Sequence, residues 1–284
     1  MDLTPETVQA ARLEKDLARL RVLRPIDDGF MRCLFQDDLP LVQFVLRIIM
    51  GKPELIITRC ETQKDLKRLA GSRSLELDVH AMEPDGTEYD IEIERSRGRA
   101  EPRRVRYHQS AMDVERLGPG EEFSRLPETY VIFIAEEDVF GEGRALYRIE
   151  RMDVDTGRPF GDGTHILYVN GAYRGDTDIG RLMHDFCCCD AKDMYLEPMA
   201  ERTRYLKESQ KGVAVMCKVF EDILNEGREK GREEGRKEGR IEGKELALLA
   251  SLRSLIEKLG YTPEQAMDVL SIPAGERGRL EIQL

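Results

Sequence analysis

Acidic side chains occupy alternate positions in LELDVHAMEPDGTEYDIEIERSRGRA, the segment from Leu75 to Ala100. Apolar and polar residues alternate on both sides of a Pro-Asp-Gly sequence, which indicates two β-strands joined by a tight turn. One set of alternate positions is almost entirely carboxylate or imidazole. Carboxylates are the ligands that a hard divalent cation prefers. This face of the hairpin is therefore either solvated or a metal site.

The turn decides which side chains meet across the hairpin. The sequence favours a three-residue loop over residues 84–86 in which Gly86 is left-handed. That loop sets Asp78 opposite Glu92 and separates the apolar face from the polar face, whereas a two-residue loop would set Asp78 against Ile93 and mix the faces. The expected pairs are Glu83–Thr87, Ala81–Tyr89, Val79–Ile91 and Leu77–Ile93, with His80–Asp90, Asp78–Glu92 and Glu76–Glu94 on the polar face.

Asp78 and Glu92 are then cross-strand neighbours, with Cβ atoms about 5 Å apart. Like charges directly opposite each other are destabilising, and a covering helix would raise the cost through desolvation. A divalent cation removes both costs, and we therefore predict Mg²⁺, or Mn²⁺, at Asp78 and Glu92. A solvated acidic face on an edge hairpin is the alternative that the spacing leaves open.

The sign of the charge reverses immediately after Glu94. Six arginines follow within twelve residues, against one opposing Glu101: Arg95, Arg97, Arg99, Arg103, Arg104 and Arg106. An acidic pair beside a cationic strip is what phosphodiester chemistry needs, with a metal ion at the scissile phosphate and cations along the flanking backbone. A solvated start of a helix is the alternative for Arg97 and Arg99.

Four segments around the hairpin resemble a known family. IDDGFMRCLF, the LDVHA…DGTEYDIEIE hairpin, RRVRYHQSAMD and TYVIFIAEEDV are similar to segments of the PD-(D/E)XK nuclease family transposases, also called recombination-promoting nucleases. The resemblance covers roughly residues 24–225, and the glycine-repeat tail is also typical of such proteins. It implies a restriction-endonuclease-like fold and Mg²⁺-dependent cleavage of DNA.

The resemblance also implies roles for single residues. Asp78 and Glu92 would ligate the metal ion, and Asp28 would be an auxiliary acid, although a simple N-cap role suits Asp28 equally well. The residues expected to contact the phosphates of DNA or to support the site are Arg95, Arg103, Arg106 and Tyr107.

Glu94 departs from the family pattern, which has lysine at this position in the signature and usually glutamine in this family. A lysine can orient the attacking water and offset negative charge, and glutamine keeps the hydrogen bonding. Glutamate instead adds charge beside two carboxylates. Glu94 is therefore either a catalytic residue, as a third ligand or a general base, or the mark of a protein that binds DNA without cutting it.

The elements around the hairpin predict an α/β fold. DDLPLVQFVLRIIMG indicates a buried helix capped by Asp38 and stopped by Gly51, and ELIITRCET indicates a first strand. After the hairpin come a helix in RRVRYHQSAMDVERL and a buried strand in TYVIFIAEEDV; ALYRIERMD and HILYVNGAYR add short strands. This order predicts a restriction-endonuclease-like mixed sheet flanked by helices, with a helical C-terminal extension.

The chain divides into five predicted segments. Residues 1–24 form an N-terminal helix or tail, 25–190 the nuclease-like core and 191–225 its helical continuation; 226–244 form a Gly-Arg-Glu repeat and 245–284 a small helical hairpin. The repeat has glycine at every fourth position, and five mid-helix glycines cost a helix roughly 5 kcal/mol relative to alanine. It is therefore either a marginal helix or a linker, or a glycine column through which two copies pair as a homo-oligomer.

Composition bounds the function classes. The net charge of −11 argues against uniform coating of nucleic acid but permits a local basic strip. No apolar run can span a bilayer and the N-terminus has no signal-peptide core, which predicts a cytoplasmic protein without a membrane partner. The sequence thus favours a metal-dependent DNA endonuclease. The alternatives are a catalytically impaired nucleic-acid-binding relative and an oligomerising interaction protein.

Overall fold

The hairpin and the buried strand lie side by side in a six-stranded mixed sheet. The computed structural model of the protein describes residues 18–66, 75–95, 100–281 and 283–284. Contacts divide the chain into two units, Met1–Phe220 and Glu221–Leu284. The predicted segment 1–24 is therefore described only from residue 18, and residues 18–22 are helical.

The strands are β1 (Arg59–Asp65), β2 (Glu76–Met82), β3 (Glu88–Glu94), β4 (Thr129–Ala135), β5 (Leu146–Ile149) and β6 (Thr164–Asn170). Their order across the sheet is β1-β2-β3-β4-β6-β5. The first three form an antiparallel meander, β4 is parallel to β3, β6 is parallel to β4, and β5 is antiparallel to β6. A parallel neighbour requires a crossover connection, and a helix provides it between β3 and β4.

The helices are α1 (Asp28–Phe35), α2 (Leu39–Met50), α3 (Pro102–Arg116), α4 (Asp178–Phe186), α5 (Glu197–Glu208), α6 (Gln210–Leu259), α7 (Pro263–Val269) and α8 (Ala274–Glu281). The predicted ends of α2 are confirmed: the Asp38 side chain accepts a hydrogen bond from the backbone N–H of Leu41 at 3.1 Å, and Gly51 ends the helix with φ +67°. The fold class is thus mixed α/β with a long C-terminal helix.

Two predictions of element boundaries are wrong. Asp27, not Asp28, occupies the N-cap position of α1, and Asp28 is the first helical residue. The first strand begins at Arg59 rather than within ELIIT, because side chains of α2 bind the backbone there. Gln43 accepts from the backbone N–H of Ile57 at 2.9 Å, and Arg47 donates to the carbonyl of Leu55 at 2.9 Å.

The two faces of the sheet pack against different helices. One face carries Val79, Ile91 and Ile132 and packs with apolar residues of α1, α2, α4 and α5 in the main core. The other face carries Val131 and Phe133, together with Val105 and Met112 of α3, in a smaller core. The polar side of the hairpin lies on this second face and is therefore covered by α3.

The second unit is helical. The predicted capping box is confirmed, since Thr262 and Gln265 each bond the other's backbone N–H at the start of α7. The residues that form its apolar cluster are Leu249, Leu252, Ala266, Met267, Ile272 and Leu280. The glycine repeat lies within α6, and among the described residues no helix is long and apolar enough to cross a membrane.

Candidate functional site

The predicted hairpin register is confirmed from Met82–Glu88 to Val79–Ile91. The predicted pairs Asp78–Glu92, Leu77–Ile93 and Glu76–Glu94 are not formed, and Leu77 packs in the smaller core whereas Val79 packs in the main core, so the prediction that both belong to one apolar face is wrong. The backbone N–H of Glu83 donates to the carbonyl of Thr87 at 2.9 Å, and Gly86 is left-handed with φ +95°, as the three-residue loop requires. The observed pairs are Met82–Glu88, Ala81–Tyr89, His80–Asp90 and Val79–Ile91.

Beyond Val79–Ile91 the two strands are joined by side chains. The backbone N–H of Asp78 donates to Oε1 of Glu92 at 3.1 Å, and the backbone N–H of Ile93 donates to Oδ2 of Asp78 at 3.1 Å. On the other side of Asp78, Gln63 has φ +54°, which is rare outside glycine, and donates to Oδ1 of Asp78 at 3.4 Å. The sheet is thus distorted where the predicted ligands Asp78 and Glu92 meet, and backbone donors hold both carboxylates.

A polar layer lies between β3 and α3. Alternate residues of a strand are about 6.7 Å apart and residues four apart on a helix about 6 Å, so the two rows can match side chain by side chain. The acidic row of β3 is Glu88, Asp90, Glu92 and Glu94, and the facing row of α3 is Arg104, His108, Met112 and Arg116. The contacts run antiparallel: Arg116 with Glu88, His108 with Asp90, and Arg104 with Glu92 and Glu94.

Arg104 supplies a cation beside Glu94. Its Nη2 donates to Oε2 of Glu92 at 2.7 Å, and its Nη1 contacts Oε1 of Glu94. Its guanidinium lies 5.5 Å from the centre of the Phe133 ring, within cation–π range. The negative charge that Glu94 adds is therefore compensated by a residue of the helix.

His108 is a neutral imidazole in this arrangement. The Nε of Arg104 lies 3.3 Å from Nε2 of His108, and arginine can only donate, so Nε2 accepts. The ring proton is then on Nδ1, which donates to Oδ2 of Asp90 at 2.9 Å. Burial lowers the pKa of His108, which also favours the neutral form.

Three carboxylates at this site, Asp78, Asp90 and Glu92, have raised pKa values, whereas that of Glu88 is lowered because burial is outweighed by its contact with His80. Burial, followed by the charge of Asp78, raises the pKa of Asp90 to about 8. Burial and the charges of Asp90 and Asp78 raise the pKa of Glu92 well above its usual value, and burial and the charge of Asp28 raise that of Asp78. Oδ1 of Asp90 is buried and has no hydrogen-bond partner among the described residues. A cation would stabilise the charged form of all three groups.

The donor set fits a divalent cation. One ligand atom each from Asp90, Glu92 and His108 lies within 4.8 Å of the others. Carboxylates suit Mg²⁺ and Mn²⁺, and an imidazole favours a transition ion such as Mn²⁺. The structure therefore brings Asp78 into hydrogen-bond contact with Glu92. Among the described residues, the group of possible ligands around Glu92 consists of Asp90, Glu92 and His108 and does not include Asp78.

The remaining predicted site residues lie around this cluster. Asp28 is 60 % exposed and 3.5 Å from Nε of Arg32, yet its charge contributes to the raised pKa of Asp78. Arg95 is 58 % exposed and forms ion pairs with Asp27 at 3.2 Å and with Glu136 at 3.1 Å. Arg95 is thus held in an ion-pair network at the end of β3.

The outer side of α3 carries the other predicted phosphate contacts. Arg103, Arg106 and Tyr107 are exposed there, on the side of the helix away from the buried His108. Arg97 and Arg99 lie outside the described residues. The exposed cations are therefore one turn of helix or less from Arg104, which reaches the carboxylates.

Sequence analysis missed Arg104, His108 and Asp90 as members of one site. The available signal was their spacing: Arg104 and His108 are four apart on a helix, and Asp90 and Glu92 are two apart on a strand. Recognising it requires the helix face that packs on the sheet, and α3 offers only a few buried apolar residues to define that face.

A cavity of about 270 Å³ adjoins the polar layer beside His80 and Glu88. Nε2 of His80 lies 2.9 Å from Glu88, and Nδ1 lies 3.3 Å from Nζ of Lys64. The cavity is lined by Arg59, Glu61, Lys64, Leu66, His80, Met82, Glu88, Met112, Glu115 and Arg116. Its charged lining is balanced in sign, unlike the acidic cluster next to it.

A second group with metal-like spacing, His184, Asp185 and Cys188, has a structural explanation. The Asp185 carboxylate accepts the backbone N–H groups of Tyr195 and Leu196, both at 2.8 Å, just before α5 begins. Burial raises the pKa of Cys188 to about 11, which keeps the thiol protonated and unsuited to metal binding.

The chain was compared with known proteins. No family model matches it, and neither the curated proteins nor the solved structures give a match. What the residues can do chemically is therefore argued from their geometry: a buried carboxylate cluster suited to a divalent cation, bordered by Arg104 and by exposed arginines of α3.

Proposed function

We propose that this protein is a metal-dependent DNA endonuclease that hydrolyses phosphodiester bonds, in the context of mobile elements or recombination. One observation carries the proposal: Asp90 and Glu92 are buried with the half-buried Asp78 beside them, the pKa values of all three are raised, and Oδ1 of Asp90 has no partner among the described residues. Buried acids with strongly perturbed pKa values are typical of functional sites.

The topology supports a restriction-endonuclease-like fold. A helix, a three-stranded antiparallel meander, a crossover helix and a strand parallel to β3 follow one another along the chain. The four segments on which the resemblance to PD-(D/E)XK nuclease family transposases rests form α1, the β2–β3 hairpin, α3 and β4. The carboxylates lie in the middle of the meander, on the side that the crossover helix covers.

Each residue of the layer has a distinct part in the proposed reaction. Asp78 and Glu92, with Asp90, would hold Mg²⁺ or Mn²⁺, which when bound polarises a phosphoryl oxygen of the substrate. Glu94 lies outside the group of Asp90, Glu92 and His108 and would take a proton from the attacking water. The exposed arginines of α3 would bind phosphates on either side of the scissile bond.

The test is plasmid nicking with and without Mg²⁺ or Mn²⁺. Asp78→Ala and Glu92→Gln are expected to abolish cleavage, whereas Glu101→Gln should cleave normally because Glu101 is an exposed carboxylate at the start of α3. Cleavage that survives in both site variants would rule out the site. Salt-sensitive retention of DNA by a wild-type protein that does not cleave would favour the binding alternative.

The contact between Arg104 and Glu94 favours a second candidate, a DNA-binding relative with impaired catalysis. A glutamate held by an arginine is a poor general base, because the ion pair stabilises its charged form. Glu94→Gln separates the two candidates. Higher cleavage than in wild type would show that Glu94 limits the reaction, and loss of cleavage would support Glu94 as the base.

A further inference from the structure

Arg104 holds the carboxylate cluster from one side. Three of its nitrogens contact the layer: Nη2 with Glu92, Nη1 with Glu94, and Nε with His108. The side chain is nevertheless 32 % exposed, so it has a route toward solvent. The guanidinium is therefore the cation that the cluster uses in this structure, and it is held by a side chain that can move.

Glu92 has both of its oxygens engaged. Oε1 accepts the backbone N–H of Asp78 at 3.1 Å, and Oε2 accepts Nη2 of Arg104 at 2.7 Å. The backbone donor is fixed by its strand. A divalent cation that takes Glu92 as a ligand would share a carboxylate with a guanidinium, and two cations at that separation repel each other strongly in a buried site. The mobile partner, Arg104, is the one that must leave.

His108 couples to the same change. While Arg104 donates to Nε2, the ring proton is on Nδ1, which is the nitrogen that faces Asp90 and Glu92. A protonated nitrogen cannot be a metal ligand. When Arg104 leaves, Nε2 can carry the proton, and Nδ1 becomes available to a metal ion together with Oδ1 of Asp90, which has no partner among the described residues.

We propose that Arg104 and a divalent cation are alternative occupants of the Asp90–Glu92–His108 cluster. In the metal-free protein Arg104 neutralises the carboxylates and blocks His108 as a ligand. Binding of the ion releases Arg104 toward solvent, on the side of α3 where Arg103 and Arg106 are exposed, and there it becomes available to a phosphate. The inference rests on the proposed metal site and adds that the Arg104 guanidinium competes with the divalent cation for it.

Isothermal titration of the full chain with Mn²⁺ tests the competition. Arg104→Gln is expected to bind Mn²⁺ at least about tenfold more tightly than wild type, because no cation has to be displaced. The matched control is Arg116→Gln, which removes the equivalent helix-to-strand ion pair at Glu88 and leaves the cluster intact. Its affinity for Mn²⁺ should equal that of wild type.

A second measurement uses the wild-type protein and so does not depend on the folding of a variant. The side-chain Nε–H resonance of Arg104, identified by its loss in Arg104→Lys, should be protected from exchange in metal-free protein. Saturating Mg²⁺ should remove that protection, since the guanidinium then leaves Glu92 and His108.

The outcomes separate this inference from the proposed function. Equal or weaker Mn²⁺ binding by Arg104→Gln, or an Arg104 Nε–H that stays protected in Mg²⁺, would overturn the competition and leave the metal site standing. Failure of wild type and both glutamine variants to bind any divalent cation would overturn the metal site and the competition together.

Discussion

Two helices of this protein carry arginine or histidine side chains spaced by four residues or a multiple of four, and they differ in what lies opposite. In α3, Arg104, His108 and Arg116 face the acidic row of β3. In the glycine repeat of α6, Arg228, Arg232, Arg236 and Arg240 follow the same period, and the described side chains between residues 226 and 244 are exposed. The period alone therefore does not determine what the charges do.

The burial of the charged side chains determines the effect of their charges. In the layer under α3, burial raises the pKa values of Asp90 and Glu92, and Oδ1 of Asp90 has no partner among the described residues, so these charges are costly and available to a ligand. In the repeat, ion pairs such as Lys237 with Glu233 at 2.8 Å are screened by water. Chemistry is expected in the first region, and solubility or association in the second.

The largest predicted effect is the loss of His108. His108→Ala removes a fully buried imidazole and leaves both Asp90 and the Nε of Arg104 without a partner that they have in wild type. The free energy of unfolding should fall by about 3–5 kcal/mol. Equilibrium urea unfolding of the full chain in metal-free buffer measures it.

His165→Ala is the matched control for that substitution. The His165 side chain is 23 % exposed and contacts Glu128 and Glu150, so it is also an imidazole between carboxylates, but in reach of water. His165→Ala should lower the free energy of unfolding by about 1 kcal/mol or less. If His108→Ala and His165→Ala lower the free energy of unfolding by the same amount, burial does not explain the stability effect of His108.

The sequence determines the hairpin more fully than the site. Residues 84–86 permit one loop, and it predicts the observed register from Met82–Glu88 to Val79–Ile91. Beyond that point Asp78 meets Glu92 through a side-chain hydrogen bond, which the alternation of residues could not show. The first strand was placed too early because a strand pattern in ELIIT cannot reveal that Gln43 and Arg47 bind its backbone. The pattern of residues in a short segment predicts how that segment pairs with its neighbour in sequence. Side chains distant in sequence, such as those of α2, can bind its backbone and prevent the predicted strand from forming.

The choice between Asp27 and Asp28 at the start of α1 was equally beyond the sequence. Both residues are aspartates, and aspartate suits an N-cap. The backbone N–H of Arg24 donates to Oδ2 of Asp27 at 2.8 Å, and Arg95 also binds Asp27, so the tertiary structure selects Asp27. The role of Arg104 depends on such packing too, because six arginines follow Glu94 and only the face of α3 distinguishes Arg104 among them.

The next prediction concerns pH. Burial raises the pKa of Asp90 from 3.8 to about 8, so the folded protein keeps a proton that the unfolded chain releases. The contribution of this group to stability is therefore fully present below the unfolded pKa and is lost as the pH rises through about 8. Asp90→Asn cannot ionise, so its free energy of unfolding should fall less than that of wild type between about pH 5 and 8.

Metal ion provides the check on that pH dependence. Saturating Mg²⁺ should flatten the wild-type curve, because the ion stabilises the charged carboxylates in the folded state. Thermal or urea unfolding across the pH range, with and without Mg²⁺, measures both effects. Parallel curves for wild type and Asp90→Asn in the absence of metal would contradict the raised pKa.

The smallest predicted effect lies in the glycine repeat. A Cβ at Gly231 or Gly235 would meet nothing within 4 Å, so alanine should stabilise the helix by about 0.5–1 kcal/mol per site, since it restricts the unfolded chain. Hydrogen exchange of the backbone amides in α6 measures this as slower exchange. Gly86→Ala should do the opposite, because Gly86 is left-handed with φ +95° and alanine is strained there.

The same alanines test the predicted homo-oligomer. If two copies pair through the glycine column, a methyl group at Gly231 and Gly235 keeps their backbones apart, and sedimentation equilibrium should show weaker association even as each helix becomes more protected. Weaker association together with slower amide exchange is expected only if the glycines form a contact surface between two copies. If association is unchanged while the α6 amides become more protected from exchange, the repeat is a solvated helix. Its arginines would then share only their four-residue spacing with Arg104 and His108 of α3, which face buried carboxylates.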